Sequence, residues 1–173
     1  MKTLYLILLF PIITFAQDTH NFKIENGKLV YEKVIQEALT IEQAKKSITR
    51  YKGEFILEGE DYFTYQINKE NIPYEKWGYK RTRINTLFSY PFSGTINFES
   101  RENRYKIRVE NITFYSLAGQ SLYGGTDGNV SIDRQLTRNK MTALMDNKIS
   151  LQTFEIYDLF FTEIFQNDSS EEW

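Results

Sequence analysis

The sequence predicts an α+β domain, an antiparallel sheet backed by helices, in the order hairpin, helix, strands, helix. Three observations predict it: an Asn-Gly pair between two extended runs near the start, a block of short aromatic and β-branched runs through the middle, and a return of helical periodicity toward the end.

In "NFKIENGKLVYEKVIQE", residues 21–37, two extended stretches flank Asn26-Gly27, a pair that accepts the two positive φ values of a type I′ turn, so a β-hairpin is expected. "LTIEQAKKSITRYKG" follows at 39–53. Thr40 and Gln43 have capping-box spacing, and Ile41, Ala44, Ile48 and Tyr51 recur at helical intervals. Gly53 suits the position after the helix, so a helix of about three turns is expected. From 54 to 116 the runs "EFILEG", "DYFTYQI", "TRINTLFSY", "GTINFESRE" and "RYKIRVENITFYS" read as strands of an antiparallel sheet. "SLAGQSLYGGTDGNVS" holds Gly119, Gly124, Gly125 and Gly128 without periodicity and reads as a surface loop. Two helices are then expected. "DRQLTRNKMTALMDN" places Leu136, Met141, Leu144 and Met145 roughly on one face, and "SLQTFEIYDLFFTEIF" does the same with Phe154, Tyr157, Phe161 and Ile164. The closing "QNDSSEEW" is acidic and reads as a fraying tail over 167–173.

Particular residues in this order resemble a family of uncharacterised exported bacterial proteins with a fold like that of the TATA-box-binding protein. They are "NGKLVYEKVI" at 26–35, the helix opening at Thr40, and "FSGTINFESRENRYKIRVENITFY" at 92–115. The likeness covers about residues 21–116, and the segment from Tyr74 to Tyr90 is longer than that family's. The resemblance implies a curved sheet backed by helices. It implies no known activity, and a shared fold does not carry DNA binding with it.

The opening run "LYLILLFPIITFA", residues 4–16, holds 13 residues and is interrupted by Pro11. A membrane-spanning helix needs about 20 apolar residues. Lys2 ahead of the run and the small Ala16 at its end make residues 1–16 a signal peptide, cleaved between Ala16 and Gln17. The rest, 17–166 and its tail, is then one exported domain, periplasmic or secreted, with no membrane span after cleavage. With no cysteine in the chain, neither a lipid anchor nor a disulfide is expected. Loss of Lys2 takes the basic residues from 21 to 20 against 23 acidic ones, a net charge of −3, which points away from nucleic acid.

His20 is the single histidine and lies beside the expected cleavage point, a poor place for a catalytic base, so a His-based triad is not expected. One histidine rules out His-rich zinc sites, and the lack of cysteine rules out thiol chemistry. Glu58, Glu60 and Asp61 crowd in "EGED". A hydrolase could use two such carboxyls in a cleft, but a charged turn explains them more simply. "DGNVSID", 127–133, alternates oxygen side chains like the start of a calcium loop, yet Ile132 and Arg138 stand where such a loop needs Gly and Glu. No metal or other cofactor is expected.

One stretch interleaves aromatics and cations: "YEKWGYKRTRINTLFSYPF", 74–92, where Trp77 and Tyr79 lie among Lys80, Arg81 and Arg83. Aromatic faces stack on sugars and guanidinium groups fork onto anions, so these five residues are the candidate ligand-binding set. The plainer alternative is a strand pair with its aromatics turned inward and its cations in water. The expectation is therefore a non-enzymatic envelope protein that binds a partner protein or an anionic glycan through one sheet face, with a small carboxylate hydrolase as the alternative. The sequence does not specify an oligomeric state.

Overall fold

The computed structural model describes residues 19–115 and 129–166. The expected signal segment with its Ala16–Gln17 junction, most of the glycine-rich loop and the acidic tail lie outside the described residues. Strands β1 (Phe22–Glu25) and β2 (Lys28–Ile35) form the expected hairpin. Asn26 and Gly27 between them have φ of 51° and 73°, the two left-handed values that a type I′ turn requires.

Helix α1 (Ile41–Ile48) opens in the expected capping box. The Gln43 backbone N–H donates to the Thr40 hydroxyl at 3.2 Å, and the Thr40 N–H donates to Gln43 Oε1 at 3.0 Å. The helix is shorter than its spacing predicts. It closes at Thr49, and Gly53, expected to follow the helix, instead begins β3 (Gly53–Glu58). Crowding is what requires glycine there: a Cβ would stand 2.2 Å from the Gln66 carbonyl oxygen and 2.5 Å from the Tyr65 ring.

Strands β4 (Tyr62–Glu70), β5 (Phe92–Arg101) and β6 (Arg104–Tyr115) match the expected runs, and β7 (Asn129–Ser131) adds a short piece. "TRINTLFSY" is corrected by the structure. Between β4 and β5 the chain forms an arch of three 3-10 turns, Tyr74–Trp77, Arg81–Arg83 and Thr86–Ser89, where a strand was expected. Buried Ile84, Leu87 and Phe88 recur at three- and four-residue intervals, and the Asn85 side chain accepts from the Leu87 N–H at 3.1 Å. Both are helical signals that outweigh the β-propensity of the segment.

A second correction falls at 133–147, where the single expected helix is broken into α2 (Asp133–Leu136) and the two-residue strands β8 (Thr137–Arg138) and β9 (Ala143–Leu144). Asn139, Lys140 and Met141 all have positive φ, 53°, 57° and 64°. An Arg138–Asp146 fork, 2.9 and 3.0 Å, closes the resulting loop. The sequence face of Leu136 and Leu144 survives as contacts with the core, but on different elements.

The seven strands form one curved antiparallel sheet in the order β1-β2-β6-β5-β4-β3, with β7 beside the C-terminal end of β6. Helix α3 (Lys148–Phe165), capped by Asn147, lies on one face. All four of its expected core residues are buried. The Tyr157 ring meets Phe22, Phe92 and Phe114, on three different strands, at 6.0–6.4 Å. Helix α1 packs beside α3, and the arch joins the same layer through Phe88, 5.5 Å from Tyr157. Among the described residues no helix is long and apolar enough to cross a membrane.

Candidate binding surfaces

The arch and the sheet face that no described element covers are two surfaces with chemistry to offer. On the arch, Trp77 and Tyr79 are half-buried against the core, whereas Lys80, Arg81 and Arg83 are exposed. None of the five lies on a strand. The Trp77 indole N–H donates to Glu163 of α3 at 3.2 Å. The Lys76 ammonium pairs with the same carboxylate and lies 4.9 Å from the indole centroid. Burial first, and then its hydrogen bond to Glu155, push the Tyr79 hydroxyl up to about 12. The aromatics therefore act as anchors that fix the turn against α3 through Glu155 and Glu163. Gly78, at φ 83°, lets the chain reverse between them. Lys80, Arg81 and Arg83, three cations within four residues, make no ion pair among the described residues. Arg81 and Lys76 border a shallow cleft of about 540 Å³ that Tyr74 and Phe88 also line.

The other sheet face carries a ladder of polar side chains, because every second residue of each strand points away from α3. Arg108 sits at its centre. It reaches Glu25 at 2.7 Å, Glu32 at 3.0 Å and Glu110 at 2.5 Å. Lys23 bridges Glu25 and Glu32 at 2.7 and 2.6 Å. Further across, Thr64 donates to Asn97 Oδ1 at 2.8 Å and Thr95 to Gln66 Oε1 at 3.0 Å. A groove of about 350 Å³ runs over this face, lined by Leu57, Asp61, Tyr62, Thr64, Asn97 and Arg108 among others.

Hydrogen bonds from Arg108 first and Lys23 second hold the Glu25 carboxyl down at about 2, from an ordinary 4.5. Glu32 is lowered too, chiefly by its hydrogen bond from Lys23. A carboxylate with a depressed folded pKa stabilises the fold fully above the unfolded value, and that stabilisation fades as pH falls toward the folded one. Stability is thus expected to decline between about pH 4.5 and about pH 2, and Arg108→Leu is expected to flatten the decline. Urea midpoints of both proteins at about pH 5 and about pH 3 check this. An equal drop in the two proteins would refute it.

The three carboxylates of "EGED" do not converge. Glu58 is drawn to Lys45 of α1 at 2.5 Å, whereas Asp61 borders the groove on the opposite face, and all three are exposed. In the would-be calcium stretch, the Asp133 carboxylate accepts the Leu29 backbone N–H at 3.1 Å, and its own N–H donates to Ser131 Oγ at 3.3 Å. Asp127 lies outside the described residues. The groove itself escaped sequence reasoning. Its signal was present in the outward positions Tyr62-x-Thr64-x-Gln66 and Asn97-x-Glu99, but only strand pairing places those rows side by side.

No family model matches the chain, and no curated protein matches it. Two solved structures are similar to it. One is a TBP-like protein from Parabacteroides distasonis ATCC 8503, 13% identical, covering 83% of this chain and 94% of that one with a TM-score of 0.47. The other is a DUF4468 family protein from Bacteroides ovatus ATCC 8483, 14% identical, covering 86% of this chain and 93% of that one with a TM-score of 0.48. The chain is similar to these two bacterial proteins, and its α+β architecture, an antiparallel sheet backed by helices, is the one that its strand order and helix placement display.

Proposed function

We propose that the chain is an exported, non-enzymatic binding module of the cell envelope, and that it takes an anionic glycan at the arch. The observation that carries this reading is the set of three exposed cations, Lys80, Arg81 and Arg83, unpaired among the described residues, on a turn whose Trp77 and Tyr79 are pinned to α3. Guanidinium groups fork onto sulfate or carboxylate, and a pinned turn presents them without a large ordering cost. Export rests on the 1–16 segment. Binding is preferred to hydrolysis because Glu58 and Asp61 face opposite sides of the sheet, so the carboxylates of "EGED" do not pair around one bond. The sheet face enters a second reading, a protein partner, which exposed Ile56 and Leu57 on the bulged edge strand β3 favour.

Dextran sulfate and polygalacturonate are the probes. Wild type is expected to bind at least one of them with an affinity that falls as salt rises. The triple variant Lys80→Ala, Arg81→Ala, Arg83→Ala is expected to lose about tenfold or more while melting within about 0.5 kcal/mol of wild type per site. Calorimetric titration and thermal melts read the two outcomes. Unchanged binding in the triple variant, or no binding of either polyanion by wild type, would dismiss the arch as the site.

A further inference from the structure

The groove on the uncovered face has a different chemistry from the arch. We propose that it is a subsite for an uncharged saccharide, in which a pyranose ring stacks on Tyr62 and is held through Asn97. The inference stands independently of the anionic reading of the arch.

Tyr62 is 39% exposed, yet its ring is seated. Gly59 is the seat. Its φ is not among the positive ones, so the turn does not need glycine for its backbone conformation. The Tyr62 ring is what needs it, because a Cβ on residue 59 would stand 2.4 Å from Tyr62 Cε1 and 2.7 Å from Cζ. A backbone bond from the Gly59 N–H to the Tyr62 carbonyl, 2.9 Å, closes the same turn. The ring thus packs against the Gly59 backbone, a contact that narrows its freedom before any ligand arrives and so lowers the ordering cost of binding. Its π face is electron-rich and suits the C–H edge of a sugar ring.

Hydrogen bonding complements the platform. Tyr62 pairs with Glu99 and Thr64 with Asn97 in the β4–β5 register, so Tyr62 and Asn97 are diagonal neighbours on one face, positions whose backbones stand about 7 to 8 Å apart in such a pair. Because Thr64 donates to Asn97 Oδ1, the amide is oriented and its Nδ2 keeps two donors with no acceptor among the described residues. Acceptors stand at the groove's end in Asp61 and Glu99, the latter paired with Lys106 at 2.8 Å and 3.9 Å from Arg101. Leu57, 53% exposed, adds an apolar wall.

Charge selects the ligand class. Asp61 and Glu99 balance Arg101 and Arg108, and Arg108 is already held by three carboxylates. A polyanion gains nothing from such a lining, whereas hydroxyls, which both donate and accept, match it. The volume of about 350 Å³ falls within the range usual for small-ligand sites.

Cellohexaose, maltohexaose and xylohexaose, each titrated calorimetrically against the full chain, provide the test. At least one is expected to bind, with little dependence on salt. Tyr62→Ala is expected to weaken that binding about tenfold or more, and Tyr62→Phe to keep most of it, since the ring remains. Asn97→Ala is expected to weaken it severalfold. Gly59→Ala, which pushes the ring off its seat, is expected to reduce it while the near-UV spectrum reports a changed Tyr62 environment. The arch triple variant should bind the neutral sugar like wild type, so loss at one surface is told apart from loss at the other. If none of the three hexasaccharides binds, or if binding persists in folded Tyr62→Ala and Asn97→Ala proteins, the subsite does not exist.

Discussion

Phe161→Ala is expected to lower stability by about 3 to 5 kcal/mol, the usual cost of emptying a buried phenylalanine site. The side chain is fully buried on α3. Its ring lies 5.0 Å from Tyr31, 5.3 Å from Tyr157, 5.6 Å from Phe160 and 6.4 Å from Phe92, so it is the point where the N-terminal hairpin, the central strand and the C-terminal helix meet. Aromatic pairs add roughly 0.5 to 1.5 kcal/mol each beyond area burial, and the site is enclosed by rings that cannot collapse into the void. Domains of this kind hold about 5 to 15 kcal/mol in all, so the loss takes a large share. The urea midpoint should fall with an unchanged slope, and Phe161→Leu should cost less than half as much because most of the volume is kept. A midpoint for the alanine variant within about 1 kcal/mol of wild type would show that the three elements are not joined there.

Asp158→Ala is expected to cost about 2 to 3 kcal/mol through polar rather than apolar loss. One residue along α3 from the central Tyr157, its carboxylate accepts four hydrogen bonds from three donors. Lys33 Nζ stands at 3.0 and 3.1 Å, the Tyr31 hydroxyl at 2.8 Å and Asn21 Nδ2 at 2.9 Å. Lys33 and Asp158 are 25% and 18% exposed, so solvent screens the pair only in part. Removing the acid leaves an ammonium with only the Thr162 hydroxyl, 2.8 Å away, and a phenol whose other neighbour is that same hydroxyl at 3.4 Å. Breaking such a pair costs more than replacing both partners. The double variant Lys33→Met, Asp158→Leu is therefore expected to recover much of the stability lost in the single one. A double variant no better than the single one in chemical denaturation would mean that geometry, not the orphaned charge, sets the cost.

The elements legible in the sequence are those specified by near neighbours. Asn26-Gly27 announced its hairpin because the turn's two positive φ values are a property of two adjacent residues. Thr40 and Gln43 announced the start of α1 because the capping box closes within four residues. Phe154, Tyr157, Phe161 and Ile164 announced α3 because a long helix repeats its apolar face several times. The ends of elements were harder. Gly53 looked like a helix terminator, and its actual requirement is the closeness of Gln66 and Tyr65 across the β3–β4 pair. At 82–90 β-propensity pointed one way and the Ile84, Leu87, Phe88 spacing the other, and packing under Tyr74 and Tyr157 decided for the 3-10 turns. At 133–147 the helical period was present, but three consecutive left-handed residues and the Arg138–Asp146 pair broke it.

By itself, then, the sequence determined the class of fold, the hairpin and the two principal helices, and it ruled out thiol chemistry and His-rich metal sites, because a chain with no cysteine and one histidine cannot supply them whatever the fold. Tertiary structure alone decided which side chains meet. It set β2 beside β6, some 70 residues away, and so gathered Glu25, Glu32, Arg108 and Glu110 into one ladder. It carried Trp77 to Glu163 across 86 residues and turned a suspected platform into an anchor, leaving the cations exposed. It also made Tyr62 and Asn97 diagonal neighbours on the face that no described element covers. The physical reason is common to all three. Turn, cap and period are local free-energy preferences written into a few residues, whereas strand order and the pairing of distant side chains follow from burying one aromatic core, a property of the whole chain.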